Sequence, residues 1–375
     1  MNTDIQRKRL GDLFVFKNGR AFKKEEWSTS GLPIIRIQNL NSEDAPFNYF
    51  AGEYSRDILV EPGDLLFSWS GTVGSSFGSH LWKGETGVLN QHIFKIGLRD
   101  TIAKRYAFHA LRYITEEIEK SVNGAVGLVH ITKEKLNEFT LPIPPLPEQR
   151  RIVGILDEAF EGIATAKTNA EKNLPNAREL FASYLQSVFT HRGLGWHSTT
   201  VDQISTNLDS KRIPITKSDR KGGEYRYFGA SGVVDHVAEY IFDGDTLLVS
   251  EDGANLLARS TPIAFSVSGK YWVNNHAHIL KFEDMATQRF VEFYLESIKL
   301  DEYITGAAQP KLNQKALNSI PIPIPKSIET QATIVKGVES LQSEIESLAA
   351  LYQRKLAALE ALKKSLLHQA FTGQL

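Results

Sequence analysis

The sequence predicts an α+β protein in which two similar mixed α/β domains are joined by two long helices packed as an antiparallel coiled coil, with internal pseudo-twofold symmetry. Three observations predict it. The chain matches itself at a nearly constant offset. Short β-branched and aromatic runs between Gly, Pro and Asn signals open each half. A long heptad seam closes each half.

The repeat is visible in NGAVGLVHITKEKLNEFTLPIPPLPEQRRIV and TGAAQPKLNQKALNSIPIPIPKSIETQATIV. There Gly124 matches Gly306, Gln149 matches Gln331 and Ile152 matches Ile334, each 182 positions on. The pair Gly63-Asp64 matches Gly244-Asp245, NQHIFKI resembles NHAHILKF, and Phe189-Thr190 matches Phe371-Thr372. Matches in this order at one offset mark a duplication. They divide the chain into domain 1 (1–145), a central spacer helix (146–192), domain 2 (193–324) and a C-terminal spacer helix (325–375).

Within the domains, residues 32–37, 64–69 and 89–96 read as strands, and 101–121 and 285–298 as helices. Beyond each domain the apolar spacing changes to threes and fours. The first seam runs through Ile152, Leu156, Ile163, Leu174, Phe181, Tyr184 and Val188. The second runs through Ile334, Val338, Leu341, Ile345, Leu348, Tyr352, Leu356 and Leu359. Pro147 and Glu148 suit a helix start, and His191-Arg192-Gly193 suits a stop. Ser327 is a good N-cap for the second helix. Pro175 lies inside the first helix and is expected to kink it, since the seam resumes beyond. An exposed seam of this length needs a partner, and each helix is the other's obvious partner. The expected object is a dumbbell whose twofold matches duplex DNA read at two half-sites.

Composition narrows the chemistry. The 375 residues include 43 Lys plus Arg, 44 Asp plus Glu and no cysteine, for a formal charge of -1. A polybasic protein and an acidic disordered one are both excluded. Thiolate metal sites, thiol nucleophiles and disulfides are excluded too. With no signal-like or membrane-length apolar run, a soluble cytoplasmic protein is expected. No Glu-x-Lys triplet, Asn-Pro-Pro-aromatic segment, P-loop or H-E-x-x-H occurs. His276 and His278 are the tightest histidine pair, but with no carboxylate or thiol nearby they make a weak metal site, so no metal and no catalytic residue is expected.

The duplicated layout, PIPPLPEQRRIV, PGDLLFSWSG and the AFTGQL ending together resemble a specificity subunit of a type I restriction-modification system, over essentially the whole chain. The resemblance implies a noncatalytic DNA-binding subunit. Each globular part would be a target-recognition domain reading one half of a bipartite, asymmetric DNA site, and the helices would set the unread spacer. It implies two methylating subunits that bind S-adenosylmethionine, and optionally two restriction subunits that use ATP and Mg. None of these cofactors would be bound by this chain. One departure is that Thr330 stands where the first copy has Glu148. A noncatalytic scaffold reading sugar or peptide is the competing interpretation, and a self-sufficient nuclease or methylase is a third.

Charge is nearly balanced in each domain: 18 basic against 17 acidic residues over 1–145, and 13 against 16 over 193–324. Phosphate contacts must therefore concentrate on one face or come from partners. Candidate DNA-reading side chains are polar residues in loops beside the strands. In domain 1 they are Arg20, Lys23, Lys24, Arg36, Gln38, Asn39, Ser68, Trp69, Ser70, Thr72, Asn90, Gln91 and His92. In domain 2 they are Lys211, Arg212, Arg226, Tyr227, Glu251, Asp252, Asn255, Arg259, Asn274, Asn275, Gln309 and Lys311.

Overall fold

A computed structural model describes residues 6–42, 44–72, 76–99, 102–121, 128–306 and 309–375. The chain forms two compact units. The first comprises Met1–Asn169 together with Arg354–Leu375, and the second comprises Ala170–Gln353. The fold thus cuts across the four consecutive segments read from the sequence, because each unit takes part of both long helices.

The first unit holds two four-stranded sheets. One has the order Phe14–Asn18, Ile93–Leu98, Leu65–Ser68, Gly78–Leu81, antiparallel throughout. Phe14 and Phe16 point inward and Val15 and Lys17 outward, as a half-buried edge strand requires. Leu65–Ser68, between two neighbours, is buried along its whole length. The other sheet has the order Asn48–Phe50, Leu32–Ile35, Gly87–Leu89, Leu59–Val60, and its central pair is parallel. Helix Lys104–Ser121 buries Tyr106, Ala110, Ile114 and Ile118 on one face against the first sheet's core.

The second unit repeats this topology strand for strand. Thr206–Asn207, Ala277–Lys281, Thr246–Ser250 and Ala264–Val267 form the antiparallel sheet. Gly232–Val237, Tyr225–Gly229, Lys270–Val273 and Phe242–Asp243 form the mixed one, again with a parallel central pair. Helix Met285–Ser297 takes the place of Lys104–Ser121, with Asp284 accepting from the Thr287 N–H at 3.0 Å.

Two strand readings need correction. Residues 89–96 are not one strand. Gly87–Leu89 belongs to the mixed sheet and Ile93–Leu98 to the antiparallel one, and residues 90–92 turn the chain between them. Residues 32–37 also break, because Asn39 Oδ1 accepts from the Arg36 N–H at 3.0 Å and opens the short helix Ile37–Asn41. Of the matched glycines, Gly124 lies outside the described residues. Gly306 has φ 88°, and a Cβ there would stand 2.4 Å from the Gln309 carbonyl oxygen.

The long helices are Leu146–Thr190 and Ile328–Thr372. The first continues unbroken through Pro175. Ser327 Oγ accepts from the Thr330 N–H at 3.3 Å, as expected of an N-cap. In the first unit the helices run antiparallel: Arg151 donates to the Leu375 carbonyl at 2.7 Å and Lys167 pairs with Glu360 at 2.9 Å. Ile152 and Leu156 pack there with Leu367, Ala370 and Phe371, and the Phe371 ring lies 5.2 Å from both Tyr106 and Tyr113. In the second unit Phe181, Val188, Ile334 and Val338 join the domain core. Tyr184 and Leu348 are only partly covered, 37% and 36% exposed, and the Tyr184 hydroxyl lies beside Gly337 of the second long helix. Leu185 and Phe189 are buried instead, because this end of the helix turns its face to the second domain rather than along the heptad line.

The matched glutamines explain how each long helix is fixed to its domain. Gln149 is fully buried. Its amide nitrogen donates to the Pro144 carbonyl at 2.8 Å, and its oxygen accepts from the Ala103 N–H at 2.9 Å, just before helix Lys104–Ser121. Gln331 does the same work, donating to the Pro325 carbonyl at 2.7 Å and accepting from Thr287 Oγ1 at 2.7 Å. Gln149→Ala strands a buried donor and a buried acceptor, so it is expected to cost about 1–3 kcal/mol per stranded group. Gln331→Ala should cost a similar amount, and urea unfolding of each variant measures both. Phe371→Ala is expected to cost about 3–5 kcal/mol, read as a loss of thermal stability in the first unit.

Candidate nucleic-acid interface

In the first unit several candidate residues serve the fold before they can serve a ligand. Ser68 is fully buried and donates to the Ser70 carbonyl at 2.7 Å. Asn39 is buried, donating to the Ala45 carbonyl at 3.1 Å. Gln38 is exposed but donates to the Pro46 carbonyl at 3.0 Å. Arg20 pairs with Glu26, and its guanidinium lies 5.0 Å from the centres of the Phe22 and Phe50 rings. Arg36 lies 5.7 Å from the Trp27 ring. Lys23 and Lys24 remain exposed at the start of a short helical turn.

The turn after Gly87–Leu89 gathers the rest. Asn90 is bridged to Arg20 and Ile35 through the backbone. Trp69 Nε1 donates to the Gln91 carbonyl at 3.2 Å, and the Trp69 ring lies 5.2 Å from His92 and 5.4 Å from His130. Ser70–Thr72 pairs with Leu128–His130, and Ser70 Oγ lies 3.1 Å from His130 Nε2. His130 escaped the sequence reading as a lone histidine. Its position in the repeat corresponds to that of Lys311, and that correspondence was the available signal. Burial, followed by the charge of His130, holds the His92 imidazole below its ordinary pKa.

The second unit places a charged network at the same turn. Arg212 donates to Glu251 at 2.6 Å and to the Ala277 carbonyl at 2.9 Å. His278 Nδ1 lies 2.6 Å from Asp209 and its Nε2 lies 2.7 Å from the Leu312 carbonyl. Lys311 pairs with Glu251 at 3.1 Å, and His276 with Asp252 at 2.9 Å. The histidine pair therefore does have carboxylates beside it, brought from positions 209, 251 and 252, which corrects the reading from the strand alone. Ligand atoms of Asp209, Glu251 and His278 lie within 4.8 Å of one another. Arg212 and Lys311 already answer those carboxylates, so the cluster is closed by the chain's own cations.

Other candidates in this unit are also committed. Tyr227 is not a loop residue: it sits on strand Tyr225–Gly229 and is fully buried. Arg259, at φ 50°, donates to the carbonyls of Leu295 and Ile298. Asn255 accepts from the Thr261 N–H at 3.0 Å. Asn274 is buried and accepts from the His276 N–H at 2.8 Å. Arg226 is exposed, donates to the Ser268 carbonyl at 2.9 Å and lies over the Phe228 ring. Lys211, Asn275 and Gln309 are exposed.

Asp209 and Glu251 set an acid limit. Burial pushes the Asp209 carboxyl up, but bonds from His278 and the Ile279 N–H and the Arg212 charge outweigh it, leaving it below its ordinary value. Glu251 is lowered in the same way, burial being outweighed by Arg212, His278 and Lys311. A carboxyl depressed by folding stabilises above its unfolded pKa of about 4, and that stability is lost as pH falls through the folded value. Unfolding of the second unit is therefore expected to become easier as pH drops below about 4. Asp209→Asn, which takes the carboxylate away from His278 and leaves Arg212 to Glu251 alone, is expected to cost about 1–3 kcal/mol at neutral pH and to flatten that acid limb, measured by denaturant titration across pH.

This doubled fold, with no helix among the described residues long and apolar enough to cross a membrane, has known counterparts. The sequence pattern described as "Type I restriction modification DNA specificity domain" matches residues 2–174 and 194–354. The chain belongs to the type I restriction-modification DNA specificity family. It is 33% identical over 141 residues to the putative type I restriction enzyme specificity subunit S.HindORF215P of Haemophilus influenzae, covering 38% of this chain and 36% of that one. It is 24% identical to the EcoBI specificity subunit of Escherichia coli, over 96% of this chain and 83% of the relative. It is 23% identical to the MjaVIII specificity subunit of Methanocaldococcus jannaschii, over 98% and 92%. Among solved structures, a chain from a study of complex assembly and conformational transition of the type I R-M system superimposes with TM-score 0.79 at 17% identity, over 99% of this chain and 98% of that one. The crystal structure of an HsdS subunit from Thermoanaerobacter tengcongensis superimposes with TM-score 0.62 at 18% identity, over 99% and 97%.

Proposed function

We propose that this chain is the noncatalytic specificity subunit of a type I restriction-modification complex, in which each unit reads one half of a bipartite, asymmetric DNA site. The observation that carries the reading is the exact repetition of one strand topology in two units, each with its own polar turn beside the antiparallel sheet. Lys23, Lys24, Lys211 and Arg226 are the exposed cations suited to phosphates. The long helices dock two methylating subunits and fix the length of the unread spacer. Those subunits carry S-adenosylmethionine, so methyl transfer to adenine is their chemistry. Restriction subunits using ATP and Mg complete the complex where they are present.

Exchange of residues 1–145 for those of a relative tests the reading. Mapping of methylated adenines in cells holding the chimera and its methylating partner should show one half-site changed, with the other half-site and the spacer kept. Simultaneous change of both halves would count against independent reading by the two units.

A further inference from the structure

A cavity of about 1130 Å³ opens in the first unit. Its walls are the outer strands of the two sheets, Gly78–Leu81 and Asn48–Phe50, with helix Lys104–Ser121 and residues 360–367 of the C-terminal helix. Two kinds of side chain face it. Phe47, Tyr49 and Phe108 are half-buried rings, and Arg112 and Lys363 are half-buried cations. The Arg112 guanidinium lies 5.3 Å from the centre of the Phe108 ring and 5.8 Å from that of Phe160, and Lys363 Nζ lies 6.0 Å from the same Phe160 ring. Among the described residues neither cation makes a hydrogen bond or a salt bridge. The neighbouring carboxylate Glu360 is taken by Lys167 at 2.9 Å, and Asp157 is taken by Arg105 at 2.6 Å. Burial, followed by the charge of Arg112, holds the Lys363 ammonium below its ordinary pKa. Two like charges thus stand near each other, partly shielded from water and without an anion.

The second unit fills the same place from within. Helix Met285–Ser297 also carries an arginine over a phenylalanine, Arg289 lying 4.6 Å from the Phe293 ring, but there Arg289 donates to Glu292 and Glu339. Glu296 accepts from the Ile263 and Ala264 N–H groups, and Glu292 from that of Ser266, along the outer strand. In the first unit Thr115 stands at the matching place beside Gly78 and brings no charge. Helix Lys104–Ser121 gives the cavity Arg105, Phe108, Arg112 and Thr115, and no carboxylate among them.

We propose that this cavity binds a small aromatic anion of the nucleoside monophosphate class, its phosphate held by Arg112 and Lys363 and its flat ring set against Phe47 and Tyr49. A phosphate monoester carries roughly -1.5 to -2 charge at neutral pH, which two cations answer. The Arg112 fork, held flat by its rings, offers the phosphate oxygens paired donors. The half-buried rings suit a planar body, and the volume is at the upper end of small-molecule sites, about 300–1,000 Å³. The site stands whether or not the unit reads DNA.

The probe is AMP, titrated calorimetrically into the full chain alone, with adenosine and inorganic phosphate as its separate halves. One AMP per chain should bind, roughly 10-fold or more tighter than either half. Arg112→Met and Lys363→Met, which keep apolar stems, should each weaken AMP roughly 10-fold, the loss of one charge-assisted bond. Neither should lower the thermal unfolding temperature, since each removes a cation that has no partner in the chain. Tyr49→Ala should weaken AMP and leave phosphate unchanged. A wild type that binds no AMP, or binds phosphate as tightly as AMP, overturns the proposal, as does AMP affinity unchanged in both cation variants. Weaker binding of duplex DNA by both variants, with AMP unaffected, would make these cations contacts to the DNA backbone and overturn it too.

Discussion

The architecture depends on two buried amides. Gln149 and Gln331 each stand in the first turn of a long helix, and each bonds backwards to a proline carbonyl and sideways to the start of a domain helix. A side-chain amide can donate and accept at once, from two different atoms, without bringing a charge into the interior. It therefore joins three segments, meeting two backbone groups through Gln149 and a backbone carbonyl and the Thr287 hydroxyl through Gln331. Each long helix leaves its domain in a direction set by this joint, and the apolar seam then follows as a consequence of helical geometry.

The two units show how one fold can carry two different chemistries. Their strand pairings coincide, so the frame of the turn beside the antiparallel sheet is common property. The first unit fills it with the rings of Trp69, His92 and His130, and the second with a bonded net of Asp209, Arg212, Glu251, His278 and Lys311. Burial makes each choice sharp. Buried charges must be answered within the chain. Divergence after duplication has thus kept the pairing and rewritten the surface chemistry.

Much of this was legible in the sequence. The offset between the copies, the heptad spacing and the glycine-aspartate strand starts report directly on periodic structure, and the observed helices and sheets follow them. The turn at residues 90–92 was hidden because the apolar residues on either side of it, Val88-Leu89 and Ile93-Phe94, read as one strand while the backbone changes sheet between them. The burial of Leu185 and Phe189 was missed because a heptad count assumes a single partner, whereas the end of the central helix also packs on a globular domain. The commitments of Arg212, Arg259 and Glu251 to internal bonds were out of reach, since their partners lie far away in sequence. His130 was within reach only through its correspondence with Lys311 in the repeat, since its neighbours come from segments more than thirty residues distant.

The second unit is a continuous stretch of chain, Ala170–Gln353, but the first is not: it closes only with Arg354–Leu375. At ribosomal speeds of about 5–20 residues per second, the intervening stretch takes on the order of ten to forty seconds to make. Through that interval Ile152, Leu156, Tyr106 and Tyr113 lack Leu367 and Phe371. The nascent chain thus carries an unfinished apolar surface on the first unit until Arg354–Leu375 emerges to cover it. The unit synthesised first is the one completed last.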